Sequence, residues 1–172
     1  MNQTVRKARH DEVPPLIDDN CHTLVLGSML SPKSAEKRFY YAHPQNRFWR
    51  VMAAVFDAPM PTDFEQCGRL ALDNGIALWD VISSCDIIGA RDETIKNVTY
   101  CDIDGLLKKY GKITRVFATG GKAFELLTKY NLDAKNEIIA DAVRLPSTST
   151  QNRNCTLYML IEAYGVLNIN KA

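Results

Sequence analysis

Between Gly27 and Trp49 the sequence reads GSMLSPKSAEKRFYYAHPQNRFW. Gly27-Ser28 is a turn that can expose backbone N–H groups and a hydroxyl. Lys33, Lys37, Arg38 and Arg47 bring positive charge, Tyr40 and Tyr41 bring aromatic faces, and His43 and Asn46 bring an imidazole and a carboxamide. Three other places carry groups of comparable use. Asp80 ends the apolar run Ile76-Ala-Leu-Trp and can orient a side chain or a water. Lys122 follows Gly120-Gly121 at the start of a helical pattern, where free N–H groups suit a phosphate. Ser147, Thr148 and Ser149 offer small hydroxyls of the kind that contact phosphate oxygens. His43 suits a backbone or phosphate partner. Asn46 is also a good helix N-cap, a use compatible with a chemical one.

The elements that must position these groups follow from periodicity. Thr23 to Gly27 reads as a buried strand. After the long loop, Phe48, Met52, Val55 and Phe56 recur at helical spacing, and Pro59 and Pro61 break the chain. Phe64 to Leu72 reads as a helix stopped near Asn74-Gly75. Ile76 to Ile82 is a second strand, and Ser83 to Asp102 is polar and irregular. A short helix from Ile103 ends at Gly111, and Ile113 to Ala118 is a third strand. A helix then carries Ala123, Phe124, Leu127 and Tyr130. Glu137 to Leu145 reads as a fourth strand, and Cys155 to Val166 as a C-terminal helix. Strands alternating with helices predict an α/β fold, a parallel sheet with helices on both faces. In such folds the loops leaving the carboxyl ends of the strands build the site. The loops after Gly27, Asp80, Thr119 and Leu145 are therefore expected to converge.

Bulk properties set the class. The chain has 172 residues, 46% hydrophobic and 24% charged, which suits one domain rather than a disordered or membrane chain. No apolar run approaches the ~20 residues of a bilayer span. The start, MNQTVRKARHDEVPPL, lacks the apolar core of a signal peptide, so a cytoplasmic protein is expected. Cys21, Cys67, Cys85, Cys101 and Cys155 form no CxxC pair, which fits free thiols better than disulfides or a metal site. The net charge is only +1, but it is blocked: basic from Gly27 to Arg50, acidic from Asp57 to Asp104, basic again from Gly105 to Tyr130. Such blocks read from charge alone as a mixed solvated surface, with basic loops gathered on one face as the alternative.

The blocks VLGSM, FYYAHPQNRFW, GIALWDVISSC and LPSTSTQN, in that order, resemble the uracil-DNA glycosylase superfamily, and within it the deoxyinosine (hypoxanthine) DNA glycosylase branch. The resemblance covers about residues 22 to 166. It implies a three-layer α/β/α sandwich around a mostly parallel four-stranded sheet, in one domain over residues 1–172. It also implies removal of a deaminated base from DNA without metal or cofactor. The partner would be double-stranded DNA with such a base, single strands being a further option, with no membrane and no obligate protein partner. The first family motif falls on Gly27-Ser28-Met29, where mismatch-specific relatives carry asparagine in place of Met29. The second falls on Leu145 to Asn152. The resemblance puts the catalytic asparagine at Asn46.

Chemistry of this kind begins with flipping a nucleotide out of the helix, at a cost of a few kcal/mol. Tyr41 is the expected surface for the flipped ring, and Gly27, Ser28, Met29 and Asp80 the expected contacts to the base. His43, Lys122, Ser147, Thr148 and Ser149 are the expected contacts to DNA. Breaking the glycosidic bond builds positive charge on the sugar. The carbonyl of Asn46 is expected to hold a water at the anomeric carbon, and N–H groups of residues 27–30 to stabilise the departing base. Two other readings use the same residues. One is a damaged-DNA or nucleotide-binding module without chemistry, and the other a flavodoxin-like binder of a small phosphate. Within the glycosylase reading, uracil or another mismatched base is the alternative to hypoxanthine.

Overall fold

The computed structural model describes residues 4–10 and 13–171. Its centre is a parallel sheet in the order β3-β2-β6-β7, formed by β2 (Thr23–Gly27), β3 (Ile76–Asp80), β6 (Arg115–Thr119) and β7 (Val143–Leu145). Val25, Leu78, Phe117 and Leu145 pack on one side with Phe48, Met52, Ala71, Leu160 and Tyr164. Those residues belong to α2 (Phe48–Val55), α3 (Phe64–Leu72) and α7 (Leu157–Tyr164). Leu24, Leu26, Ala77, Val116 and Ala118 pack on the other side, against α4 (Ile103–Lys109) and α5 (Gly121–Ala134). Strands covered on both faces are apolar at nearly every position, which is why β2 and β3 are readable as strands.

Three expectations need correction. The segment read as irregular contains β4 (Ile82–Ile88) and β5 (Lys96–Tyr100). With β1 (Val5–Arg9) they form a second, antiparallel sheet in the order β1-β4-β5. Register shifts between Ile82, Ser84 and Asp86 break the alternation of β4 against β5, so a two-residue period survives only over Cys85 to Ile88, too short to be read. The stretch Glu137 to Leu145 is not one strand. Asn136 accepts hydrogen bonds at Oδ1 from the N–H groups of Ile138 and Ile139, so α6 (Glu137–Ala140) forms first and only Val143–Leu145 joins the sheet. The long loop also holds α1 (Pro32–Lys37), started by Ser31, whose Oγ accepts from the Ser34 N–H, and stopped at Arg38 with φ of 54°.

The two sheets share a corner. β3 ends at Asp80 and β4 starts at Ile82, with the Val81 and Ile82 N–H groups bonded to the Gly27 and Ser28 carbonyls. Gly27 is in register with Asp80, and Leu26 with Ala118. The carboxyl ends of the parallel strands therefore lie side by side at the place where the chain turns into the second sheet.

Candidate functional site

A cavity of about 450 Å³ opens at that corner, within the usual range for ligand clefts. Gly27, Ser28, Met29, Tyr41, His43, Asn46, Asp80, Ser147, Thr148 and Ser149 all line it. Lys122 does not. It pairs with Glu125 one helical turn along α5, and the guanidinium of Arg144 lies against Gly121, where a phosphate was expected.

The floor is Gly27 and Asp80. A Cβ at position 27 would fall on Asp80 Oδ1, so only glycine lets the carboxylate lie across the end of β2. Asp80 Oδ2 meets His10 Nε2 at 2.6 Å, and both residues are buried. Burial alone would lower the His10 pKa. The hydrogen bond and charge of Asp80, helped by the His10 and Val13 carbonyls, raise it above its ordinary value instead. The floor is thus a carboxylate bonded to a histidine that holds its proton more tightly than usual.

One wall is the loop after β2. No protein group accepts from the N–H groups of Ser28, Met29 and Leu30 among the described residues, and all three residues line the cavity. Consecutive free N–H groups suit an oxygen with developing negative charge. Ser28 Oγ donates to both oxygens of Asp92, at 3.1 and 3.2 Å.

The opposite wall joins α2 to the loop after β7. Asn46 Oδ1 accepts from the Phe48 N–H at 2.9 Å and from Thr148 Oγ1 at 2.8 Å. The backbone donor fixes which amide atom is oxygen, because an NH₂ group could not accept there. Both lone pairs of the carbonyl are occupied, so the group left for the cavity is the Nδ2 donor. That reverses the expected use of this amide. The next residue, Arg47, heads α2, and its guanidinium donates to the carbonyls of Thr148, Ser149, Asn152 and Cys155. A cation of the first basic block is spent on fixing residues 148–155.

Tyr41 has φ of 52°, a backbone region few aromatic residues adopt. One face of its ring stacks on Phe48, with centroids 3.8 Å apart and planes 11° apart. Its hydroxyl lies 3.2 Å from Thr119 Oγ1, which itself donates to the Leu26 carbonyl. Burial pushes the Tyr41 phenol well above its usual pKa, so it acts as a neutral donor. On the rim, His43 Nδ1 accepts from the Gln45 N–H, which leaves Nε2 facing outward. Ser147 and Ser149 accept the N–H groups of Ser149 and Gln151, so both hydroxyls keep a proton to donate.

Sequence reasoning missed His10, Asp92 and the role of Arg47. His10 follows a strand whose only buried residue is Ala8, and Asp92 sits in the segment read as irregular. Local pattern marks neither. Among the described residues no cluster of His, Cys, Asp or Glu could hold a metal ion, and no helix is long and apolar enough to cross a membrane.

A mixed α/β layer fold with a polar cleft at the carboxyl ends of parallel strands is the setting of many hydrolases. Comparison with known proteins narrows it. The family model of the Uracil DNA glycosylase superfamily matches residues 14–164, and the chain belongs to that superfamily. A hypoxanthine DNA glycosylase from Methanosarcina acetivorans is 31% identical over 144 residues, 81% of this chain and 86% of that protein. Another hypoxanthine DNA glycosylase, from Methanosarcina barkeri, is 38% identical over 85 residues, 49% of this chain and 54% of that protein. A solution NMR structure of a candidate uracil DNA glycosylase from M. acetivorans superposes with a TM-score of 0.76 at 26% identity, covering 94% of this chain and 99% of that one.

Proposed function

We propose that this DNA glycosylase acts in the cytoplasm as a single unit and hydrolyses the N-glycosyl bond of deoxyinosine in double-stranded DNA, releasing hypoxanthine. The observation that carries the reading is the orientation of Asn46. With Oδ1 held by Phe48 and Thr148, Nδ2 is a fixed donor in the cavity, as are the free N–H groups of residues 28–30. Deamination turns the amine of adenine into a carbonyl, an acceptor that such donors bind and that gathers charge as the base departs. The face of Tyr41 away from Phe48 stacks the extruded ring, and a stack contributes ~1–3 kcal/mol. Asp80, fixed by His10, holds the attacking water. His43, Ser147 and Ser149 contact phosphates, and Thr148 serves the site by holding Asn46.

Duplexes carrying inosine, uracil or xanthine, incubated with the protein and cleaved with alkali, test this directly. Scission at inosine is expected, reduced at least about tenfold by Asn46→Ala, the ~1.4 kcal/mol scale of a single hydrogen bond made in the transition state. Undiminished inosine release by Asn46→Ala overturns the assignment of that residue. Scission at uracil alone overturns the substrate.

A further inference from the structure

The cavity holds two carboxylates, and their surroundings differ. Asp80 is hydrogen-bonded to His10 beneath it. Among the described residues no cation is bonded to the Asp92 carboxyl group, and the one hydrogen-bond partner of that group is the buried hydroxyl of Ser28. Yet Asp92 is not a loose surface group. The turn that carries it is tied down on both sides. Arg6 of β1 donates to the Gly89 carbonyl from Nε and Nη2. Thr94 Oγ1 donates to the Arg91 carbonyl at 2.7 Å and accepts from the Ile88 N–H at 2.9 Å. The second sheet thereby delivers a carboxyl group to the base-binding loop, 64 residues away in sequence from the serine it meets.

A purine leaves an anomeric carbon most easily when its imidazole ring takes up a proton. We propose that Asp92 is the general acid of this enzyme, giving its proton to N7 of the departing purine. The proposal rests on the purine-releasing reading above. As the C1′–N9 bond breaks, its electron pair passes into the base and the Asp92 proton bonds to N7. A water oxygen bonds to C1′, and the proton it sheds returns through solvent to the Asp92 carboxylate. The products are neutral hypoxanthine and an abasic sugar, and no co-reactant is needed beyond water.

The surroundings favour the protonated form. Asp92 is an exposed residue, but the protein crowding its carboxyl at the cavity wall raises its pKa, against the lowering by the Ser28 hydrogen bond. The charges of Glu93 beside it and Asp80 across the floor raise it further, and Lys122 on α5 opposes them. His10 lies behind Asp80, Arg6 and Cys85 belong to the neighbouring strands, and Tyr41 and His43 also line or rim the cavity. Phosphates of a bound DNA strand add negative charge and push in the same direction.

Asp92→Asn keeps the shape and an acceptor for Ser28 but has no proton to transfer. The experiment compares single-turnover release from deoxyinosine and from 7-deazadeoxyinosine, which lacks N7, by the wild type and by this variant. Expected is a loss of about 10²-fold on deoxyinosine, the lower end of what a positioned acid contributes, with wild type and variant equal on the 7-deaza substrate. The wild-type rate should fall as pH rises through the Asp92 pKa, and this limb should vanish in the variant. Thermal unfolding of the variant should occur near the wild-type temperature, because the position is exposed and the amide keeps an acceptor for Ser28. Release within twofold of wild type on deoxyinosine, or an equal loss on both substrates, overturns the proposal. A wild type that releases uracil but no purine overturns the substrate reading together with this one. Purine release with an inert Asp92 overturns this one alone.

Discussion

At the scale of single residues, the site is a set of groups whose free ends are decided by what holds their other ends. Asn46 is the clearest case. Asn46→Asp keeps an oxygen for the Phe48 N–H and the Thr148 hydroxyl, but replaces the Nδ2 donor with negative charge. We expect near-wild-type urea stability and at least a tenfold loss of hypoxanthine release, about 1.4 kcal/mol or more of transition-state stabilisation. Asn46→Ala should also lose about 1 kcal/mol of stability as a missing cap. The His10–Asp80 pair makes a pH prediction. The folded pKa of His10 lies above its ordinary 6.5, so the fold binds a proton more tightly than the unfolded chain does. The pair's contribution is therefore fully present below that unfolded value and is lost as pH rises through the raised folded value. Urea unfolding should show stability declining over that interval, and His10→Gln should flatten the slope. A slope unchanged in His10→Gln would place the titration elsewhere.

At the scale of elements, the loop after β7 is shaped by a side chain from the start of α2. Four carbonyls of residues 148–155 converge on Arg47, and hydrogen bonds to a charged group are worth more than neutral ones. Arg47→Gln should cost about 2–3 kcal/mol in urea unfolding, the scale of losing one or two charge-assisted bonds beyond those the amide can replace. The loop should also become sensitive to proteases near Arg153. Gly120 tests the same neighbourhood. Its φ of 91° strains any other residue, and a Cβ there would lie 3.3 Å from Ser147 Cβ. These elements also separate what a sequence shows from what it conceals. Three of the parallel strands, β2, β3 and β6, are largely buried on both faces, so composition alone reveals them at nearly the right limits, whereas in β7 only Leu145 is buried. The second sheet has one side in solvent, bulges in β4 and a single buried residue in β1. Its pattern is too weak for local periodicity, and it is held by pairing that spans the chain from Val5 to Ile88.

At the scale of the whole molecule, charge and thiol chemistry give the remaining tests. With a net charge of only +1, DNA affinity must come from local cations and helix and loop N–H groups rather than from a global field. If about three phosphates are contacted, binding should weaken roughly fortyfold between 50 and 200 mM salt. An affinity indifferent to salt would contradict a DNA-binding role for this face. All five cysteines are free and buried. Desolvation pushes the thiols of Cys21 and Cys67 up to about 11 and that of Cys101 up to about 12. The native protein should resist alkylation by iodoacetamide at neutral pH and react fully only in denaturant, as counted by mass spectrometry.

The sequence by itself determined the layered α/β frame and the stretch that supplies Gly27, Tyr41 and Asn46, because buried strands and short motifs are written in contiguous residues. Tertiary structure alone decided that the Asn46 carbonyl accepts from both Phe48 and Thr148, that Arg47 bonds the carbonyls of residues 148–155, and that His10 and Asp92 arrive at Asp80 and Ser28. Each of those outcomes depends on which donor or acceptor a distant part of the chain brings to the other end of a side chain. Hydrogen bonds between residues 64, 70 and 102 positions apart leave no trace in local spacing.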